Sequence, residues 1–102
     1  MFFGDYNRGN PIVARGYYPL LLHHDVARFS DRFDWGNGCT PGALQLAIAL
    51  LKDLGLPDDQ VLQCHEQFAK LVVADIGEHK WKLSEQDMLS VVEALVVQSS
   101  PA

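Results

Sequence analysis

The chain has 102 residues, enough for one domain with a single core and no need of metal or disulfide staples. Hydrophobic residues make up 48% and charged residues 21%, which excludes disorder, and the net charge of −5 excludes nonspecific nucleic-acid binding. Residues 1–39 hold four Arg against four Asp, whereas residues 40–102 hold four Lys against nine acids, so the acidity lies in the second half.

Met1 to Tyr6 is short and aromatic and reads as a strand, and Asn7-Arg8-Gly9-Asn10-Pro11 as a turn. Ile12 to Ala14 and Tyr17 to Leu22 read as two further strands joined by a tight turn at Arg15-Gly16. Pro19 lacks a ladder donor, which places the third strand at an edge or at a bulge. His23-His24-Asp25 opens an irregular polar segment that runs to Arg32. His23, His24, Asp25 and Cys39 are metal-capable types. Adjacent His residues on a strand point to opposite faces, however, and no metal-ligand spacing supports them, so no metal site is expected.

Trp35-Gly36-Asn37-Gly38 is dense in residues that tolerate positive φ and predicts a sharp turn. Thr40 is a good N-cap and Pro41 suits the first helical position. A helix over about 41–54 follows, apolar on most of its circumference, with Gln45, Lys52 and Asp53 as its polar strip and Gly55 as its stop. Such a helix is buried, so the other elements are expected to wrap around it. Asp58 and Asp59 open a second helix, where Val61, Cys64, Phe68, Leu71, Val72 and Ile76 share an apolar face and Gly77 marks the end. His65 and Asp75 also fall on or near that face. A half-buried His65 bonded to a backbone carbonyl is the plainer reading, and a proton-exchanging His65 in a pocket the sharper one. Trp81 and Leu83 alternate with Lys80 and Lys82 as a short extended piece, with Trp81 and Leu83 inward. Lys80 and Lys82 are too few for a nucleic-acid patch. Ser84 then starts a last helix with Met88, Leu89, Val91, Val92, Leu95 and Val96 on one face.

The expected architecture is therefore α+β: a small N-terminal antiparallel sheet of three to four strands on three helices, as a single domain over 1–102. No run reaches the roughly 18 apolar residues of a membrane span. Cys39 and Cys64 form no framework and are expected as free thiols of a reducing compartment.

The order of features resembles a family of short bacterial and bacteriophage proteins of unknown function. The resemblance rests on the Phe33-Asp34-Trp35-Gly36-Asn37-Gly38 loop and the Ala/Gln/Leu-rich helix after Pro41, with an aromatic-Gly strand and a Gly-x-x-Pro-Leu hairpin before them. Cys39-Thr40-Pro41-Gly42 departs from the family's Gly-Ser-Gly-Pro by about a residue. The resemblance implies a phage or mobile-element context and a cytoplasmic home, and it carries no catalytic residues.

Three functions fit. The first is a non-enzymatic protein-interaction module, such as an inhibitor of a host defence protein, whose acidic half faces a basic partner surface. The second is a small-ligand or anion-binding domain that uses the Gly-rich loop at 35–42. The third, an enzyme built on His65, Cys39, Cys64 or the His23/His24 pair, lacks any partner residue identifiable by spacing. The candidate contact residues are Asp34, Trp35, Asn37, Thr40 and His65. No cofactor, membrane or direct nucleic-acid partner is expected; a second copy of the chain is a further candidate partner, through Val97 and the aromatic first strand.

Overall fold

The computed structural model describes residues 1–7, 10–35, 40–76 and 80–99, with no side-chain description for residues 6, 7, 10 and 97–99. Within these, β1 (Phe2–Asn7), β2 (Asn10–Arg15), β3 (Tyr18–Pro19) and β4 (Trp81–Leu83) form one antiparallel sheet in the order β3-β2-β1-β4. The helices are α1 (Pro41–Asp53), α2 (Asp58–Phe68) and α3 (Glu85–Ser99), with α2 prolonged by a π-helical segment (Ala69–Val73) and a last α-turn (Ala74–Ile76). The α+β architecture is the expected one. The turn expected over Asn7–Pro11 is narrower, since Asn7 ends β1 and Asn10 and Pro11 begin β2; residues 8, 9 and 36–39, Gly77, the Val97 side chain and the residues after Ser99 lie outside the described part.

The β2–β3 connection is a two-residue turn, since Arg15 pairs with Tyr18. Gly16 has φ +62° while Tyr17 does not turn positive, which suits the type II′ hairpin that needs Gly at its first central position. Pro19 sits on the edge strand, as its missing donor requires. The third strand is much shorter than expected. It stops at Pro19, and Leu20 makes one last bond to Val13 before the chain leaves the sheet. Leu20 to Leu22 were expected as strand because they are apolar, but they are irregular chain, with Leu20 and Leu22 joining the core and Leu21 exposed.

One sheet face carries Phe2, Val13 and Trp81, all buried. Gly4 pairs with Val13 on one side and with Trp81 on the other. A Cβ on Gly4 would stand 2.5 Å from Trp81 Cε2, so only glycine lets the indole lie on this strand. Trp81 meets Trp35 edge-on, with centroids 5.8 Å apart.

Helix α1 is the core of the molecule, with Leu46, Ile48, Leu50 and Leu51 inaccessible to water. Thr40 caps it by accepting from Ala43 N at 3.2 Å, and Pro41 is its first residue. Gly55, at φ +102°, ends it in a Schellman arrangement: Gly55 N bonds Lys52 O at 3.0 Å and Leu56 N reaches Leu51 O at 3.4 Å. Lys52 forms an ion pair with Asp58 across the joint to α2. Arg15 ties the sheet to the same end. Its Nη1 donates to Asp53 O at 2.7 Å and to Asp53 Oδ2 at 3.0 Å, and its guanidinium stands over the Phe2 ring.

Gln45 is not part of a surface strip as expected; it is fully buried. Its Oε1 accepts from Phe29 N at 2.7 Å and Ser30 N at 3.2 Å, and its Nε2 donates to Leu22 O at 2.5 Å and Ala27 O at 3.1 Å. All four hydrogen-bonding positions of the amide are used. A polar residue at this place on an apolar helix is thus the anchor of the irregular segment that would otherwise lack backbone partners.

The π segment corrects the expected face of α2. An i→i+5 turn takes in one more residue than an α-turn and rotates later side chains backwards. Val73, off the ideal α-helical face, is therefore buried, while Leu71, expected inside, is 56% exposed and Asp75 faces solvent. Ser84 accepts from Asp87 N at 3.0 Å and caps α3, whose Met88, Val92 and Leu95 are buried. Leu89, expected on that buried face, is exposed.

Candidate functional site

The loop before α1 brings some predicted site residues together. Asp34 and Thr40 line a hollow of about 340 Å³ with Ser30, Arg32, Phe33 and Gly42 at the N-terminal end of the helix. Residues 32–34 run close against the helix start, because a Cβ on Gly42 would lie 2.5 Å from Asp34 Cβ and 3.2 Å from Arg32 O. Asp34 and Thr40 already do structural work. Asp34 Oδ1 accepts from Trp35 N at 2.8 Å, and Thr40 is the cap. Trp35 turns away from the hollow into the core beside Trp81, and Asn37 lies outside the described residues.

His65 stands apart from this hollow, on α2, and is 7% exposed. Its Nδ1–H donates to Leu62 O at 2.7 Å. The ring stacks on Phe29 at 5.5 Å between centroids, and Nε2 is buried with no hydrogen-bond partner among the described residues. The backbone bond of the plainer reading is present, and the burial is deeper than half. Cys64 beside it is buried, and that burial pushes its thiol pKa upward, away from nucleophile character. Cys39 lies outside the described residues.

The His23/His24 segment is a turn, closed by Val26 N on His23 O at 3.0 Å. His23 has φ +57°, a conformation that His adopts more readily than β-branched residues. His24 Nε2 bonds Ser30 O at 2.8 Å, and His23 Nδ1 is 3.8 Å from Asp25. Among the described residues, no three His, Cys, Asp or Glu side chains converge as a metal site would need.

Two surface features had no strong sequence signal. One is the aromatic β2–β3 turn: Tyr17 is fully exposed, Tyr18 77% and Leu21 68% exposed. The strand reading had placed all three within a sheet; Tyr18 does lie on β3, Tyr17 is in the turn and Leu21 is beyond the end of the strand. The other is a groove of about 540 Å³ on the sheet face opposite the core, lined by Phe3, Asp5, Ile12, Ala14, Lys80 and Lys82. A further hollow of about 490 Å³ separates β2–β3 from residues 31–33.

The geometry defines a small α+β domain whose sheet packs one face on the helices and, among the described residues, leaves the other uncovered. The chain belongs to a family of unknown function, DUF6166, whose profile matches residues 2–94. Among curated proteins and among solved structures there is no match to the chain. No helix of the described residues is long and apolar enough to cross a membrane.

Proposed function

We propose that the chain is a non-enzymatic module that binds another protein through its open sheet end. The observation that supports this reading is the exposure of two large aromatic side chains at the β2–β3 turn, Tyr17 and Tyr18, with Leu21 exposed just after the edge strand. Large amphipathic rings held on a tight, pre-formed turn supply contact area at little entropic cost, and Tyr is enriched among the residues that dominate binding energy. In the phage or mobile-element setting that the family resemblance implies, the partner is a cytoplasmic host protein, and inhibition of a defence protein is the natural outcome. The test is expression of a tagged copy in a bacterial host with mass spectrometry of what co-purifies. One stoichiometric partner, lost with Tyr17→Ser/Tyr18→Ser, is the expected result; no specific partner, or one indifferent to that variant, refutes it.

A second reading uses the hollow at the start of α1, where Arg32 and the helix N-terminus suit an anion beside Asp34 and Thr40. Ligand selective for the folded state raises its stability, so a thermal-shift panel of nucleotides and phosphates decides it. No stabilisation by any of them rejects this site.

A further inference from the structure

The sheet's outer face differs in chemistry from the rest of this acidic chain. In β1 and β2 the residues facing away from the core are Phe3, Asp5, Ile12 and Ala14, with Ala14 and Lys82 each paired directly to Phe3. Lys80 and Lys82 are two residues apart on the same side of the chain as it enters and follows β4, opposite to the buried Trp81. They are therefore roughly 7 Å apart along the strand. Both are exposed. Elsewhere Arg15, Arg28 and Lys52 are engaged by Asp53, Asp31 and Asp58, whereas Lys80 and Lys82, like the separate Arg32 and Lys70, have no ion-pair partner among the described residues. The result is an apolar floor with two ammonium groups along one wall, neither with an ion-pair partner among the described residues, and Asp5, which has an interaction of its own, at one end.

We infer that this groove takes a short acidic segment of a partner protein: an apolar side chain on the Phe3–Ile12–Ala14 floor, and two carboxylates about two residues apart on Lys80 and Lys82. An extended chain repeats side chains on one side every second residue, so its acid spacing matches that of the lysines. Charge complementarity selects this occupant over a second copy of the chain, whose net charge of −5 is spread over its helices while this same face carries the lysines. The inference rests on the protein-binding reading and adds to its contact at the β2–β3 turn a second one, on β1 and β4, with a partner chemistry.

The experiment pans short random peptides displayed on phage against the folded chain, then measures retained peptides by fluorescence anisotropy. Lys80→Glu/Lys82→Glu and Ile12→Ser serve as variants, with circular dichroism to show that each keeps its fold. Enrichment of an aromatic or aliphatic residue beside two acids is expected. The charge-reversed variant is expected to bind at least about tenfold more weakly, because like charges then face each other. The wild-type affinity should fall as salt rises. No consensus, a basic consensus, or undiminished binding by the charge-reversed variant overturns the inference. If the co-purified partner is lost with Tyr17→Ser/Tyr18→Ser but kept by Lys80→Glu/Lys82→Glu, the binding module stands and the groove falls. A concentration-dependent dimer that hides the groove overturns it as well.

Discussion

Replacing Gln45 by methionine tests whether one amide holds the irregular segment on the core helix. Methionine keeps the length and nearly the volume, so little cavity is left. The substitution removes four hydrogen bonds, two accepted from Phe29 N and Ser30 N and two donated to Leu22 O and Ala27 O. A protein hydrogen bond contributes a net of roughly 1 kcal/mol, and each backbone group left dry costs more. The segment is only partly buried, so water reaches some of the freed groups and compensates. The expected loss is therefore about 2–4 kcal/mol, a large fraction of the roughly 5–15 kcal/mol available to a domain. Urea unfolding followed by tryptophan fluorescence measures it, since Trp35 and Trp81 are both buried. Hydrogen exchange adds the location: amides of Phe29 and Ser30 should lose protection while those of α1 keep theirs relative to global stability. A loss under about 1 kcal/mol with unchanged exchange at Phe29 and Ser30 would refute the anchor role. Gln45→Glu sharpens the test, because it puts an oxygen where Nε2 faced two carbonyls. The carboxylate is disfavoured there, so the variant's deficit should shrink as the pH falls and the side chain is protonated.

Gly4→Ala should destabilise by roughly 1–3 kcal/mol, because its Cβ would collide with the Trp81 ring, and Trp81→Leu in the same chain should make the alanine nearly neutral. A double-mutant cycle by denaturant unfolding that shows simple additivity contradicts this contact. Gly55→Ala meets no neighbouring atom, so its cost should be the backbone term alone, about 1 kcal/mol at φ +102°, with Gly55→Asn milder; equal effects in the two variants would exclude that explanation. Cys64 should resist alkylation in the native protein and react at once in urea, since its thiol is buried and held protonated; rapid native labelling at this residue would count against the described core.

The patterns that depend on near neighbours were legible in the residues. Thr40-Pro41 and Gly55 bracket α1, Ser84 caps α3, and the period-two alternation around Trp81 marks β4, all because caps, stops and pleats are set by a few adjacent positions. The near-continuous apolar run of α1 also sufficed to make it the core. Tertiary structure decided what those patterns leave open. Leu20-Leu21-Leu22 reads as strand by composition, yet the chain departs after Pro19 and finds its backbone partners on Gln45. Gln45 reads as surface by polarity, yet a buried amide is stable once four partners from residues 22–30 converge on it. The π segment turned Val73 in and Leu71 out, a register that no ideal helical wheel contains. The candidate surfaces show the same division. Asp34 and Thr40 were visible because loop chemistry is local, whereas the groove between Phe3, Ile12 and the two lysines exists only because β4 returns from the far end of the chain to pair with β1.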